Sequence, residues 1–132
     1  MGINSSINKN DRISIMIKPA KLDLIIYQGA TFFKRFTWKD RRAPIDITGY
    51  TFKMQIRPSI DSSTVLAEYT SATGEFYLED PANGVFVLEV DNAITEGYSF
   101  DEAVYDIECT YPDGRVSRML YGRVSLSREV TR

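Results

Sequence analysis

The sequence predicts an all-β fold, a sandwich or small barrel of about 7–9 short antiparallel strands behind an extended N-terminal arm. Three observations carry this. Apolar and polar residues alternate in short runs, the period of a half-buried strand. Clusters of Gly, Pro, Asn and Asp break those runs at close intervals. No stretch shows an apolar stripe at helical spacing over three turns. The 132 residues suffice for one domain with a working core and for little more.

The first residues stand apart. Gly2 to Asp11 is rich in Asn and Ser, without a sustained pattern. It reads as an arm. Arg12-Ile13-Ser14-Ile15-Met16-Ile17-Lys18 then alternates, placing Ile13, Ile15 and Ile17 on one side of a strand that Pro19 ends. Such a strand can pair within its own sheet or add to a neighbour's exposed edge. The division expected is residues 1–21 as arm and 22–132 as sandwich.

The body is a series of strands. Leu22 to Tyr27 is closed by Gly29. In Thr31 to Trp38, Phe32, Phe36 and Trp38 share a face on which Lys34 is the exception. Lys39-Asp40-Arg41-Arg42 is a charged turn, and Ile45 to Gly49 leads into Thr51 to Arg57, with Phe52, Met54 and Ile56 inward. Val65 to Thr70 follows. Glu75 to Glu79 and Val85 to Val90 flank Asp80-Pro81-Ala82-Asn83-Gly84, a hairpin-like connection. Asp91 to Glu96 suits one helical turn capped by Asp91 or Asn92. Val104 to Tyr111 and Arg115 to Ser127 are the last strands, joined by the tight-turn signal Pro112-Asp113-Gly114.

Composition excludes several chemistries. Histidine is absent, which removes the usual general base near neutral pH and every triad built on it. Cys109 is the one cysteine, so no disulfide can close within the chain, and its alternating apolar neighbours predict a buried, inert thiol. No metal or other cofactor is expected. The N-terminal residues carry no apolar signal-peptide core and no run is long enough to span a bilayer, so cytoplasmic folding without membrane contact is the expectation.

Charge is segregated. Between Pro58 and Asp113 there is no Lys or Arg, while acids from Asp61 through Glu79, Glu89 and Glu108 to Asp113 fill the stretch. The cations lie before it and after it, the last being Arg115, Arg118, Arg123, Arg128 and Arg132. Cross-strand pairing within one molecule explains this best. Head-to-tail association of a basic with an acidic face is the other possibility. Net acidity and the lack of a dense basic cluster argue against nucleic acid.

The carboxylate pairs Glu75 with Glu79, Glu89 with Asp91, and Asp106 with Glu108 are the candidates for acid–base chemistry. Their spacing puts each pair on one strand face, and the outward face for Asp106 and Glu108 suits solvated decoration. Asp61-Ser62-Ser63-Thr64 and Asp80-Pro81-Ala82-Asn83 lack the alternating acids of a calcium loop. The many aromatic rings suit a packed core. They also leave room for a sugar-binding face, with Tyr77 and Phe33 expected outward, and glycan recognition through Tyr77 or Trp38 as the alternative function.

Asp101-Glu102-Ala103-Val104-Tyr105-Asp106-Ile107 sets a Tyr at the start of the penultimate strand, four residues after an Asp. Immunoglobulin-like sandwiches often close a corner with such a Tyr, whose hydroxyl bonds nearby backbone; here Ile107 stands where the second core cysteine would be. Asp101 and Tyr105 are therefore a candidate tyrosine corner. Leu24 to Phe32, Phe36-Thr37-Trp38, Ile45 to Tyr50, Met54 to Arg57, Val104-Tyr105-Asp106, Pro112-Asp113-Gly114 and the ending Gly122 to Arg132, taken in order, resemble small immunoglobulin-like structural proteins of tailed bacteriophages, similar to the N-terminal domain of upper baseplate proteins. The resemblance implies a non-enzymatic virion component, made in the host bacterial cytoplasm, that joins tail, baseplate or fibre parts through other virion proteins and copies of itself. The arm departs from it. The interface candidates are Ile13, Ile15 and Ile17 on the arm and Arg128 and Arg132 at the C-terminal end.

Overall fold

A computed structural model describes residues 18–132. Its strands are β1 (Ala20–Lys21), β2 (Leu24–Tyr27), β3 (Phe32–Thr37), β4 (Lys39–Asp40), β5 (Ala43–Pro44), β6 (Thr51–Arg57), β7 (Ala67–Thr70), β8 (Phe76–Asp80), β9 (Val85–Val90), β10 (Glu102–Thr110) and β11 (Val116–Ser127). A 3-10 turn spans Pro81–Asn83, and a short helix α1 spans Asn92–Thr95.

Two sheets face each other. The larger runs β1/β2, β11, β10, β6, β7, and the smaller runs β3, β9, β8. This is an immunoglobulin-like sandwich, two sheets packed face to face over one core. The expectation of antiparallel strands throughout is corrected at one place: β1 and β2 run parallel to β11, Ala20 opposite Leu120 and Leu24 opposite Val124. The parallel pairing also draws Ala20 and Lys21, which the sequence assigns to the arm, into the sheet.

Alternation sets the core. Phe52, Met54 and Ile56 of β6, Phe86, Leu88 and Val90 of β9, and Tyr105, Ile107 and Cys109 of β10 all point between the sheets and are buried. Phe86 lies between Phe52, stacked at 4.1 Å between ring centres, and Phe36, stacked at 5.0 Å. These rings couple the two sheets across the core. Burial raises the Cys109 thiol to about 11, so it stays protonated and inert near neutral pH.

The connections follow local chemistry. Gly84 closes the 3-10 turn at φ +74, and an added Cβ there would meet the carbonyls of Trp38 and Ile45 at 2.4 and 2.8 Å. Only glycine combines that dihedral with that approach. The charged turn is a small β4–β5 hairpin in which Arg41 and Arg42 both hold positive φ, a strained choice for non-glycine residues. Asp91 precedes α1 without making a side-chain cap; the helix is held instead by buried Thr95, whose hydroxyl donates to the Ala30 carbonyl at 2.8 Å.

The edges are shaped too. β3 has no partner on its outer side among the described residues, and inward-facing Lys34 stays half-buried on it. A charge pointing into the core from an edge strand obstructs addition of a further strand. A register shift between Val85 and Phe86 leaves Glu79 as an extra residue on β8, and such a bulge twists that edge away.

Candidate interaction surface

A groove of about 600 Å³ lies on the outer face of the large sheet. β6 supplies Lys53, Gln55 and Arg57, β10 supplies Asp106 and Glu108, and β11 supplies Arg118, Tyr121 and Arg123. Tyr121 is 41% exposed, with the Arg118 guanidinium 5.8 Å from its ring centre. Lys21 reaches the groove from β1. Its cations are largely matched within the molecule: Lys53 with Glu68 at 3.6 Å, Arg118 with Asp106 at 4.0 Å, and Arg123 with Glu102. Arg57 donates to the Ser62 carbonyl and to Gln55.

The outer face of the small sheet is different. Phe33 and Tyr77 face outward as expected, 46% and 40% exposed. Arg35 donates to Glu79 at 2.5 and 2.9 Å across the middle strand, and Tyr77 donates to Glu89 at 2.9 Å. In register between Arg35 and Tyr77, Val87 is fully buried although it points away from the core.

The segregated charge of the sequence resolves inside the molecule. All six ion pairs among the described residues join a carboxylate of the Pro58–Asp113 stretch to a cation outside it. The sheet does this by alternating acidic and basic strands: acidic β10 lies between β6 and β11, which carry the cations.

The candidate catalytic carboxylates do not converge. Glu79 is held by Arg35, Glu89 accepts from Tyr77, Asp106 pairs with Arg118, and Glu75 accepts from the Thr70 amide and the Thr73 hydroxyl. Hydrogen bonding from Arg35 holds Glu79 below the usual carboxylate range, and Gln55 does the same for Glu68. Such groups stay ionised and make poor proton donors. Among the described residues no three His, Cys, Asp or Glu side chains gather as metal ligands, and no helix is long and apolar enough to cross a membrane.

The named candidates fall as follows. Ile13, Ile15 and Ile17 lie outside the described residues. Arg128 is engaged within the chain, donating to the Ser99 carbonyl at 2.6 Å and pairing with Asp101 at 3.2 Å. Arg132 donates to the Glu129 carbonyl at 3.0 Å. Arg128 thus reaches the loop before β10, while the contact of Arg132 is local and exposed. The tyrosine corner is corrected. The Tyr105 hydroxyl donates to the Leu22 carbonyl, 83 residues upstream, at 2.5 Å, and not to nearby backbone, while Asp101 turns to Arg128. The reason is the parallel first strand, which brings Leu22 over Gly122, the residue opposite Tyr105. Trp38 makes a T-shaped contact with Tyr50 at 5.9 Å and is half-buried.

Reading the sequence missed Tyr121 and Lys21. A register shift beyond Ile107 leaves Met119 as an extra residue on β11, so Arg118 and Tyr121 share the outer face although their spacing is odd. Two-residue alternation read straight through β11 separates them.

No family model matches the chain, and no curated protein is similar to it in sequence. Among solved structures it is similar to the extracellular domain of the voltage-gated sodium channel β4 subunit, at 11% identity, over 83% of this chain and 93% of that chain, with a TM-score of 0.41. That domain is described as a parallel homodimer that explains its role in cell–cell adhesion. The immunoglobulin-like assignment stands on the strand order itself.

Proposed function

We propose that this chain is a non-enzymatic protein-binding module, a structural adaptor of a tailed-phage virion that joins tail, baseplate or fibre proteins. The observation that carries the binding role is the groove on the large sheet: a broad face bearing exposed Tyr121 with Arg118 and Arg123 beside it, the residue types enriched where proteins meet. The paired carboxylates and the inert Cys109 agree with a role that needs no bond chemistry. The phage setting rests on the ordered resemblance of Leu22 to Arg132, and Ile13, Ile15 and Ile17 of the arm remain part of the proposal as a strand offered to a neighbour.

The test is a cross-linking and mass-spectrometric analysis of purified particles that contain this chain. The expected result is the chain in stoichiometric amount, with cross-links from Lys21 or Lys53 to a tail or baseplate protein. Absence from particles overturns the virion role. Specific capture on a glycan array, abolished by Tyr121→Ala or Tyr77→Ala, replaces it with the carbohydrate-binding reading. Deleting residues 1–18 is expected to leave a folded domain that no longer joins the particle.

A further inference from the structure

We infer that the outer edge of β2, which has no partner strand among the described residues, is a self-association site at which two copies pair β2 with β2 antiparallel about a two-fold axis centred on Ile25. The inference stands on edge geometry alone and holds whether or not the chain belongs to a virion.

Among the described residues the two sheets have four outer edges, three of which carry an obstruction. β3 has inward-facing Lys34, and β8 has the bulge at Glu79. On β7 the Thr70 amide already donates to the Thr73 hydroxyl and the Glu75 carboxylate, so part of that edge is closed by side chains. β2 carries neither an inward charge nor a bulge, and the one outward group already engaged among the described residues is the Tyr27 carbonyl at its end, which accepts from the Ala30 amide at 3.0 Å. Its four residues, Leu24-Ile25-Ile26-Tyr27, hold no charge, no proline and no bulge. Ile25 and Tyr27 are 52% and 58% exposed, while Leu24 and Ile26 are buried in the core.

Hydrogen-bond parity selects the register. The Leu22 amide donates to the Tyr121 carbonyl and the Gln28 amide to the Ser127 carbonyl. Even-numbered residues of this segment therefore turn their backbone groups to β11, and odd-numbered residues turn theirs outward. Asp23, Ile25 and Tyr27 are the outward set, and Ile25 is its middle member. A two-fold axis through Ile25 lets each Ile25 amide donate to the other copy's Ile25 carbonyl and sets Tyr27 opposite Asp23. Leu24 then faces Ile26 on the inner side and Ile25 faces Ile25 on the outer side. Every side chain keeps its face, and the two large sheets become one continuous sheet. Such an interface is isologous, so it closes at two copies. A four-residue edge buries far less than the roughly 800 Å² per partner of a stable complex, so the dimer is weak and concentration-dependent.

The test uses the full chain. Sedimentation equilibrium across micromolar to millimolar concentration is expected to show a monomer–dimer equilibrium that Ile25→Lys weakens at least tenfold, with an unchanged circular dichroism spectrum because the side chain points outward. Ile25→Cys is expected to form a covalent dimer under mild oxidation, whereas Val116→Cys, equally exposed on the same sheet, does not. Buried Cys109 leaves the background clean. A wild-type chain that stays monomeric at millimolar concentration overturns the inference. So does a dimer indifferent to Ile25→Lys, or an Ile25→Cys chain that cross-links no faster than Val116→Cys.

Discussion

The Tyr105 hydroxyl and the Leu22 carbonyl, 83 residues apart in sequence, meet at 2.5 Å beside Gly122. This contact fastens the first segment of the domain to the sheet that the last two strands build. Tyr105 is 4% exposed, and burial raises its hydroxyl pKa, so it remains a donor at any ordinary pH. Replacing it by Phe keeps the ring and strands the carbonyl. Tyr105→Phe is therefore expected to cost about 1–3 kcal/mol, the range for a buried polar group left without its partner, and to lower the thermal midpoint by several degrees. Hydrogen exchange at Leu24 and Ile26 should accelerate more than at Ile107. Uniform acceleration would show that the bond does not anchor the first strand in particular.

Gly122 makes the second prediction. A Cβ at this position would sit 2.3 Å from the Leu22 carbonyl oxygen and 2.8 Å from its carbon, both backbone atoms that cannot swing aside. Gly122→Ala must displace β1 and β2 or bend β11. The expected loss is about 1–3 kcal/mol by analogy with overpacked cores, measured by denaturant unfolding. Gly114→Ala serves as the contrast: it meets no atom within 4 Å, and its cost is confined to its positive φ. Equal losses at the two sites would remove the close-approach argument.

These two sites show what the sequence makes legible. Strand positions and faces follow from alternation where pairing is regular: Phe52, Met54 and Ile56 inward, Val85 to Val90 as a strand, and Phe33 and Tyr77 outward all appear as expected. Alternation fails where an extra residue enters, as at Met119, and it carries no information on partners distant in sequence. Tyr105 was legible as a buried hydroxyl in need of an acceptor; that the acceptor is Leu22 depends on a parallel pairing that no local pattern encodes. The ion pairs show the same division: the charge segregation was legible, and the interleaving of β10 between basic strands was not.

The third prediction concerns pH. Glu79, Glu68, Asp46 and Asp113 sit below the ordinary carboxylate range, held there chiefly by hydrogen bonds from Arg35, Gln55, the Thr48 hydroxyl and the Arg115 amide respectively. A lowered folded pKa contributes stability above the unfolded value, about 4, that is lost as pH falls through the folded value. Burial raises Tyr69 and Tyr105, whose contribution is complete below about 10 and lost as pH climbs beyond it. With Cys109, raised to about 11, beginning to lose its contribution above the free thiol value of about 8.5, the thermal midpoint should be flat from roughly pH 5 to pH 8 and fall on both sides. Glu79→Gln should soften the acid limb and Tyr105→Phe the alkaline limb. A midpoint that holds steady from pH 5 to pH 2 contradicts the acid half.

Lys34 makes the last prediction. It is the one cation on the inward face of β3, between Phe32 and Phe36, in a strand paired on one side only among the described residues. A Lys there keeps its charged end in water by threading out through the open flank, while its stem covers apolar surface. The same charge would be trapped if a further strand docked alongside, and leaving it unpaired in that seam would cost more than the new backbone bonds return. Lys34→Val removes the obstruction and supplies a good strand former. The variant is expected to match or exceed wild-type stability at low concentration and to associate more strongly as concentration rises. Light scattering on Lys34→Val in an Ile25→Lys background isolates the β3 edge from the β2 edge. Scattering equal to that of Ile25→Lys alone at every concentration would show that Lys34 guards nothing.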